Sequence, residues 1–337
     1  MPQKLIDRPK TGFETPVAQW TSAAKLTKSK EPWARAWARH ILKQQPQPLE
    51  TARRGRIDVV HMQRRAVIGN FSVERLFEDV RNTLSYSDQI KLRLRLNRHP
   101  SRDIVPRIAD AWEARSKQGH VNHITGDVHY LAWWMDGQRT VITVLDCVSL
   151  HRLTGLRRAL FKYFWYQLPL KRAKYITVIS EFTRRELLEL TDCDPQRVVV
   201  IYPHLSDEFQ YSEKTFPQRP RVLQIGTKRN KNLERVAQAL AGLDVDLVII
   251  GDLTATQRDL LDALKLRTTV KENLSREELA AEYLASDIMV FASTYEGFGL
   301  PIIEAQAVGR PVITSNCCSM PEVAADGACI VNPEDVA

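Results

Sequence analysis

The sequence has no long hydrophobic run, and none of its apolar stretches approaches the roughly eighteen residues that a membrane-spanning helix needs. Its first residues carry charges, but no apolar segment follows them as one would in a signal peptide. A transmembrane protein and a secreted protein are therefore both disfavoured. We expect a cytoplasmic protein whose contact with a membrane, where one exists, is peripheral.

Cysteine is scarce, with five residues, an odd number that lacks the spacing of a zinc site. This pattern indicates reduced thiols and excludes a disulfide-stapled fold. Two Asp-x-Asp pairs, Asp192 with Asp194 and Asp244 with Asp246, superficially match a metal-binding pattern. Both fall at the entry of a strand or turn, so we interpret them as turns and expect no required metal. The cysteines are Cys147, Cys193, Cys317, Cys318 and Cys329.

Acidic residues are the minority, since 40 Asp and Glu face 48 Lys and Arg for a net charge of +8. Arginines are concentrated between residues 53 and 115. Such a surface attracts phosphates of nucleic acid, lipid headgroups or phosphorylated acceptors, although solvated helix faces would have the same composition. The sequence lacks an aromatic-basic recognition motif, so we expect no nucleic-acid partner.

The chain of 337 residues is long enough for two domains. Residues 1–54 are basic and proline-rich, with scattered tryptophans and no strand pattern; one short helix is predicted over residues 34–42. This segment is either disordered, or a peripheral arm, or the product of an upstream start codon. We predict a first Rossmann-like domain at residues 55–205, a linker at residues 206–219 and a second Rossmann-like domain at residues 220–337.

Strand and helix patterns alternate in both predicted domains, which indicates parallel, doubly wound α/β sheets. Ser72 stands where it can cap the first helix. The predicted strands are residues 56–61, 121–124, 140–145, 175–179, 221–225, 245–250 and 288–292, and the predicted helices begin at residue 72 or span residues 104–117, 232–240 and 276–285.

The segment after the last of these strands is the most informative part of the chain. Two glycines flank Phe298 and a helix follows, so backbone amides and the positive end of the helix can meet a phosphate or a sugar hydroxyl. Glu296 stands before this turn and Glu304 on the second turn of the helix. Carboxylates accept hydrogen bonds from vicinal hydroxyls, so one can face the reacting end of a ligand and the other a more distant hydroxyl pair.

Residues 296–305, Glu-Gly-Phe-Gly-Leu-Pro-x-x-Glu-Ala, are followed by Gly-Arg-Pro-Val at 309–312 and Ser-Met-Pro-Glu-Val at 319–323. Together they resemble the nucleotide-sugar site of retaining GT-B glycosyltransferases of the "glycosyl transferases group 1" family. Residues 177–183 and 200–203 are similar to less specific motifs of that family, and the resemblance extends from residue 56 to the end of the sequence. It implies a further helix where residues 332–337 end, so we expect the second domain to be truncated.

The resemblance implies a retaining enzyme that moves a sugar from a nucleotide-diphosphate donor to a sugar, lipid-linked or polysaccharide acceptor, in polysaccharide or glycolipid biosynthesis and without a metal or other cofactor. It assigns Lys231 to the diphosphate. The family's Arg position holds Asn230, so Arg229 or Lys228 must substitute. Glu296 would hold the sugar and Glu304 the ribose. The remaining donor-site residues would be Gly226, Thr227, Gly297, Phe298, Gly299 and Leu300.

Acceptor contacts are expected at the strand ends of the first domain. Relatives commonly have His-Asp where this chain has Leu145-Asp146, and His129 or His151 could take the place of the missing histidine. Asp127 is a further candidate for the cleft, as are Ser72 and the loop of residues 62–71. For each of these residues, a role in a turn, a cap or packing explains the sequence equally well. A second hypothesis is a truncated or degenerate relative that binds a nucleotide or a partner without catalysis.

Overall fold

The computed structural model describes residues 56–65, 72–99 and 103–336. The predicted helix at residues 34–42, most of the 62–71 loop and the side chain of Ser72 lie outside these residues. From residue 56 onward the chain forms one compact unit. In the described residues, no helix is both long enough and apolar enough to span a membrane.

The first sheet has six parallel strands in the order β2-β1-β3-β4-β5-β6. We call residues 57–200, which carry this sheet, the first half. Its strands are β1 (Ile57–Gln63), β2 (Ile90–Leu96), β3 (Val121–Thr125), β4 (Thr140–Val144), β5 (Tyr175–Val178) and β6 (Val198–Val200). Its helices are α1 (Ser72–Ser85), α2 (Ile104–Ser116), α3 (Val148–Arg152), α4 (Gly155–Phe161), α5 (Leu168–Arg172) and α6 (Glu181–Leu190). A π-helical turn (Lys162–Gln167) joins α4 to α5, and 3₁₀ turns lie at His129–Trp133, Gly137–Arg139 and Pro195–Arg197.

The two faces of the first sheet differ, because successive side chains of a strand point to opposite sides. Ile124 aligns with Met62 and Ile142, and these three are buried in one apolar core. The neighbouring register places His61 beside His123 on the other face, where their rings lie 5.0 Å apart. Burial lowers the pKa of His61 to about 4 and that of His123 to about 3, so both imidazoles are neutral at pH 7.

The second sheet is also parallel, in the order β12-β11-β10-β7-β8-β9. We call residues 221–331, which carry it, the second half. Its strands are β7 (Arg221–Ile225), β8 (Asp246–Ile250), β9 (Arg267–Lys271), β10 (Ile288–Phe291), β11 (Val312–Ser315) and β12 (Ala328–Val331). A 3₁₀ turn (Arg229–Lys231) precedes helices α7 (Leu233–Leu240), α8 (Ala255–Ala263), α9 (Arg276–Ala285), α10 (Leu300–Ala307) and α11 (Met320–Ala324).

Helices α8 and α9 begin at capping boxes. Thr254 accepts a hydrogen bond from the backbone of Gln257, whose side chain in turn accepts one from the backbone of Thr254, and Ser275 and Glu278 make the same exchange. Each box satisfies two amide groups that a helix start leaves unpaired. These local signals fix where the connections between the strands of the second sheet turn into helices.

In each sheet, two neighbouring strands are followed by connections that lead to opposite sides of the sheet. In the second sheet these strands are β7 and β10, and in the first they are β1 and β3. The loops that leave the carboxyl ends of two such strands diverge and leave a crevice, which is where open α/β sheets bind their ligands. The architecture therefore brings the loop after β7 and the loop after β10 to one place, and both contain predicted site residues.

Candidate active site

The centre of the candidate site is the carboxylate of Glu296, in the loop between β10 and α10. Its Oε1 accepts a hydrogen bond from Lys231 Nζ at 2.6 Å and another from Asn230 Nδ2 at 3.1 Å. Both donors belong to the loop after β7, and β7 is the neighbour of β10. The side chains of Lys231 and Glu296 are 20% and 16% exposed, so the pair is shielded yet open to a ligand.

Gly226 allows Lys231 to adopt this position. Its φ of +85° favours glycine, and a Cβ atom there would lie 2.8 Å from Lys231 Cγ. The ammonium of Lys231 also lies 4.6 Å from the ring centroid of Phe291, a cation–π contact that adds to its ion pair with Glu296. The lysine is therefore preorganised by the end of β7 and the end of β10 together.

The other cations of the predicted diphosphate loop lie at the surface. Lys228 and Arg229 are exposed beside Lys231, and Thr227 Oγ1 donates a hydrogen bond to the carbonyl of Asp252 at 2.5 Å. Asn232, which sequence reasoning missed, has a left-handed φ of 59° and donates from Nδ2 to Ala292 O at 3.0 Å. Its position directly after the cationic loop and before α7 is the signal that could have identified it.

Glu304 lies on α10, where its Oε2 accepts a hydrogen bond from Tyr283 Oη at 2.6 Å. Burial raises the pKa of Glu304 to about 7, against the opposing influence of the Tyr283 hydrogen bond and of nearby cations that include Arg75 and Lys231. This carboxyl group therefore titrates near neutral pH. A hydroxyl pair that donates to it would favour its ionised form.

The glycine turn is held by both halves of the molecule. The Gly297 carbonyl accepts hydrogen bonds from Ser180 Oγ at 2.7 Å and Thr183 Oγ1 at 3.1 Å, at the start of α6. A Cβ atom on Gly297 would lie 2.0 Å from the carbonyl oxygen of Leu145. Backbone therefore packs directly against backbone here, and Leu145, in the position of the family's histidine, contacts the turn through its main chain.

The remaining residues of the turn are anchored within the second half. Phe298 is buried, and Ser319 Oγ lies 2.7 Å from the Phe298 carbonyl and 2.9 Å from that of Glu296. Gly299 immediately precedes α10, and Leu300 is the first residue of this helix. The N-terminus of α10 therefore adjoins the turn, as the sequence predicts.

Tyr295 forms a second contact between the halves that sequence reasoning missed. Its hydroxyl donates to Glu186 Oε2 at 2.6 Å and accepts from the Cys147 amide at 3.1 Å. The other oxygen of Glu186 lies 2.6 Å from His151 Nε2. The predicted rim residue His151 is therefore linked, through Glu186 and Tyr295, to the residue that precedes Glu296.

The predicted residues of the first half separate into two groups. Asp127 is exposed and pairs with Arg64 at 3.3 Å, and Asp146 is half-buried with Oδ1 accepting from the Val148 amide at 3.0 Å. Burial raises the pKa of Asp146, and the charges of nearby acids, Glu296 included, raise it further. His129 differs, since it is buried with Nδ1 3.2 Å from the Trp165 carbonyl oxygen, and burial lowers its pKa. His129 packs inside the first half and does not reach the rim.

Further contacts between the halves surround this site. The carboxylate of Glu322 accepts hydrogen bonds from the amides of Glu181 at 2.7 Å and Phe182 at 3.0 Å, and so caps α6 from the opposite half. Arg276 pairs with Asp79 of α1 and donates to the carbonyl of Arg75 at 3.0 Å. The two halves thus contact each other on several sides of the Glu296 turn.

The two Asp-x-Asp pairs take part in turns and surface ion pairs. Asp194 Oδ1 accepts from the Gln196 amide at 2.9 Å, and Asp244 pairs with Arg219 at 2.9 Å and with Arg267. Within the described part of the chain, no group of three or more His, Cys, Asp or Glu side chains is arranged to hold a metal ion.

Comparisons with known proteins agree with this geometry. Residues 207–337 match the family model described as "Glycosyl transferases group 1". The O-antigen chain mannosyltransferase B of Escherichia coli is 28% identical over 255 residues, which cover 67% of this chain and 65% of that protein. The chain thus spans just under two thirds of the length of this relative.

Solved structures share the fold. WaaG, a glycosyltransferase involved in lipopolysaccharide biosynthesis, superposes with a TM-score of 0.62 at 17% identity, covering 82% of this chain and 86% of that one. HepE of Anabaena, solved in complex with UDP-glucose, gives a TM-score of 0.62 at 14% identity, covering 83% and 86%. Two facing parallel sheets with a ligand crevice at the carboxyl edges define a GT-B protein. Its residues 207–337 match the model of the glycosyl transferases group 1 family, the family that the Glu-Gly-Phe-Gly motif resembles.

Proposed function

We propose that the chain is a retaining glycosyltransferase that moves a sugar from a nucleotide-diphosphate donor to an acceptor hydroxyl in polysaccharide or glycolipid assembly. The convergence of Lys231 and Asn230 on Glu296, at the crevice between β7 and β10, carries this proposal. The arrangement puts a cation and an acceptor of hydroxyl hydrogen bonds a few ångströms apart. A sugar diphosphate presents the complementary pair of groups.

Lys231 supplies positive charge for the diphosphate, with exposed Lys228 and Arg229 beside it. Negative charge grows on the diphosphate as the glycosidic bond breaks, and fixed cations stabilise that charge more in the transition state than in the ground state. Asn230 keeps its hydrogen bond to Glu296 when the ammonium turns toward the ligand. The polar amide in the family's Arg position thus holds the carboxylate, and the exposed cations take over the charge of the missing arginine.

Glu296 accepts hydrogen bonds from the sugar, and Glu304 from the ribose hydroxyls. Amides of Gly297, Phe298 and Gly299 face sugar and phosphate at the start of α10, where the helix dipole favours an anion. The contacts of Ser180 and Ser319 with carbonyls of this turn fix its shape before the donor arrives. Preorganisation of this kind lowers the cost of binding.

Retention follows when the acceptor hydroxyl attacks on the face that the diphosphate leaves. The acceptor oxygen bonds to the anomeric carbon, the bond from that carbon to the diphosphate oxygen breaks, and the hydroxyl proton passes to the departing diphosphate. This sequence needs no protein base, which suits a chain with Leu145 in place of histidine. Asp127, Asp146 and His151 face the acceptor, and the reaction proceeds without a metal or other cofactor.

The name of the Escherichia coli relative favours mannose as the transferred sugar. The acceptor is then a growing saccharide or its lipid-linked precursor. A cytoplasmic location remains a prediction of the sequence.

Calorimetry or saturation-transfer NMR against a panel of GDP- and UDP-sugars, with GDP-mannose first, tests the proposal. Selective binding that Glu304→Gln weakens would support it. Glu282→Gln is the matched control, because Glu282 is a buried carboxylate of α9 that pairs with Arg221, at the amino end of β7, outside the candidate site. A folded protein that binds no donor would contradict the proposal.

An activity assay separates the enzyme from a degenerate relative. The chain is incubated with the bound donor and saccharide acceptors, and transfer and hydrolysis are followed with and without EDTA. We expect α-configured product from an α-configured donor and no effect of the chelator. Donor binding without transfer or hydrolysis would instead favour the non-catalytic hypothesis, for which the Leu145 substitution is the specific observation.

A further inference from the structure

Helix α2 presents an apolar stripe to solvent. Ile104, Ile108 and Trp112 recur every four residues and therefore share one helix face, with Val105 beside them. All four are exposed, Val105 by 76% and Trp112 by 60%. A helix of a globular protein normally turns such a stripe toward the core, whereas this one faces outward.

A second exposed stripe runs along α4 and the π-helical turn. Leu156, Leu160 and Phe164 are again four residues apart, and Tyr163 adjoins them. Leu156 is 74% exposed, and α4 itself, all of whose residues the structure describes, has no buried side chain. The helix thus lies on the surface, and among its residues Phe161, at its end, packs against the apolar core.

Aromatic rings connect the two stripes. The ring centroids of Trp112 and Trp134 are 5.9 Å apart, those of Trp134 and Trp133 5.9 Å, and those of Trp133 and Phe164 6.1 Å. Trp133 Nε1 also donates to the carbonyl of Phe164 at 2.8 Å, and the Phe164 and Tyr163 rings are 5.1 Å apart. We call these rings and the two stripes together the aromatic surface.

The aromatic surface is bordered by positive charge. The sequence has no Asp or Glu between residues 147 and 180. On the α2 side, the Arg115 guanidinium lies 5.3 Å from the Trp112 ring centroid; Asp110 is buried against His99, which leaves Glu113 as the exposed acid of that helix. The basic residues of the acid-free segment are Arg152, Arg157, Arg158, Lys162, Lys171, Arg172 and Lys174.

We propose that the aromatic surface docks the protein onto an anionic lipid bilayer. Leucine and aromatic side chains insert at the boundary between headgroups and acyl chains, where Trp and Tyr rings are favoured, while Lys and Arg contact lipid phosphates. A second copy of the chain fits less well, because it would bring the same positive charges face to face. The proposal does not depend on the sugar-transfer activity, since no residue of the Glu296 turn belongs to the aromatic surface.

Vesicle co-sedimentation with the full chain tests the proposal. We expect binding to phosphatidylcholine vesicles that contain phosphatidylglycerol, weaker binding to phosphatidylcholine alone, and weakening by salt. Arg157→Glu with Arg158→Glu should lower the partition coefficient at least about tenfold, because each Lys or Arg near an anionic membrane adds to the electrostatic free energy of binding. The control, Arg258→Glu with Lys265→Glu, changes the net charge equally on exposed residues of the second half and should retain binding.

A second pair of variants isolates the apolar part. Leu156→Ser with Leu160→Ser should weaken vesicle binding, whereas Tyr211→Ser with Leu243→Ser, exposed residues outside the surface, should not. Hydrogen exchange should show vesicle-dependent protection at residues 104–116 and 155–167. Failure of the parent chain to bind, or unchanged binding by the aromatic-surface variants, would overturn the proposal. If the chain did not bind vesicles and the aromatic-surface variants changed its oligomeric state, the surface would be a contact between two copies of the chain. That result would also overturn the proposal.

Discussion

The two halves share an architecture but hold their candidate site residues in different ways. In the second half, Lys231, Asn230 and Glu296 come from two loops whose strands are neighbours, and their polar atoms contact one another directly. In the first half, Asp127 pairs with an arginine and His129 is buried against backbone. The candidate site residues of the second half thus form a self-contained site. Those of the first half lie at its rim, where Asp127 and His129 contact groups of the first half itself.

This difference indicates a division of labour. A nucleotide diphosphate has fixed chemistry, so the loops that meet it can be preorganised by short hydrogen bonds within one sheet. In the first half, where we propose that the acceptor binds, irregular elements such as α3 and the π-helical turn replace long helices. The halves contact each other through Gly297 and Tyr295 of the second half, which form hydrogen bonds with side chains of the first half.

The largest effect should come from Lys231→Met, which removes the cation of the self-contained site and leaves Glu296 half-buried without its ammonium partner. We expect a loss of ~100-fold or more in donor turnover, since one positioned charge contributes a few kcal/mol to the transition state. Lys271→Met is the control, because Lys271 pairs with Glu282 outside the site. Steady-state kinetics of both variants measures the difference, and equal losses would mean that Lys231 acts only through stability.

Gly297→Ala tests whether the halves must approach as closely as the structure shows. The new Cβ atom would lie 2.0 Å from the Leu145 carbonyl oxygen, so backbone would have to move. We expect a loss of about 2–3 kcal/mol in the free energy of unfolding, a typical cost of a severe steric conflict. Gly242→Ala, where no atom lies within 4 Å of the added Cβ and only a φ of +81° opposes the change, should cost about 1 kcal/mol in urea unfolding. Equal losses in the free energy of unfolding for the two variants would show that the backbone contact between Gly297 and Leu145 can widen without cost.

The parts of the second half that are predictable from sequence are those whose signals are local. The turn before α10, the helix α9 over residues 276–285 and the apolar strand β10 all appear at the predicted residues. Strands β2, β6, β9, β11 and β12 were not predicted. Of these, β2 and β9 each lie at a sheet edge and carry Lys, Arg or Thr on the exposed side. Composition does not distinguish such an edge strand from a polar loop.

The part of the site that sequence did not predict depends on long-range contacts. Tyr295 and Glu186 are 109 positions apart, and nothing local to either marks the hydrogen bond between them. His129 was a candidate because it follows a strand, yet the 3₁₀ turn in which it lies directs it into the core. Position along a strand predicts the edge of a sheet at which a residue lies, whereas burial depends on the helices that pack there.

The pH dependence of donor binding tests whether Glu304 of the second half contacts the donor, because Glu304 titrates near neutrality. Its pKa of about 7 exceeds the usual 4.5, so the folded protein binds the proton more tightly than the unfolded chain does. Stability of the empty protein should therefore fall as pH rises from about 4.5 through 7, by up to about 3 kcal/mol. Donor affinity should rise about tenfold between about pH 6 and 8, as the carboxylate becomes available to hydroxyl donors.

Calorimetry across this range measures the effect. Glu304→Gln should flatten both profiles. Tyr283→Phe should move their midpoints upward, because the Tyr283 hydroxyl lowers the pKa of Glu304. An affinity of the parent chain that does not change with pH would show that Glu304 does not meet the donor.

The smallest effect should come from Tyr295→Phe, which removes the hydroxyl that links the Cys147 amide to Glu186 across the halves. One lost hydrogen bond to a largely buried carboxylate costs about 1–2 kcal/mol, and Glu186 retains His151 as a partner. Urea unfolding should detect this loss, and hydrogen exchange should rise in α6, whose Glu186 the hydroxyl contacts. Tyr211→Phe, at a ring that is 72% exposed, should change neither quantity. If Tyr295→Phe also changed neither the free energy of unfolding nor hydrogen exchange, the contacts of the Gly297 carbonyl and the Glu322 cap of α6 would suffice to join the halves. The Tyr295 hydroxyl would then belong to the site without stabilising the interface between the halves.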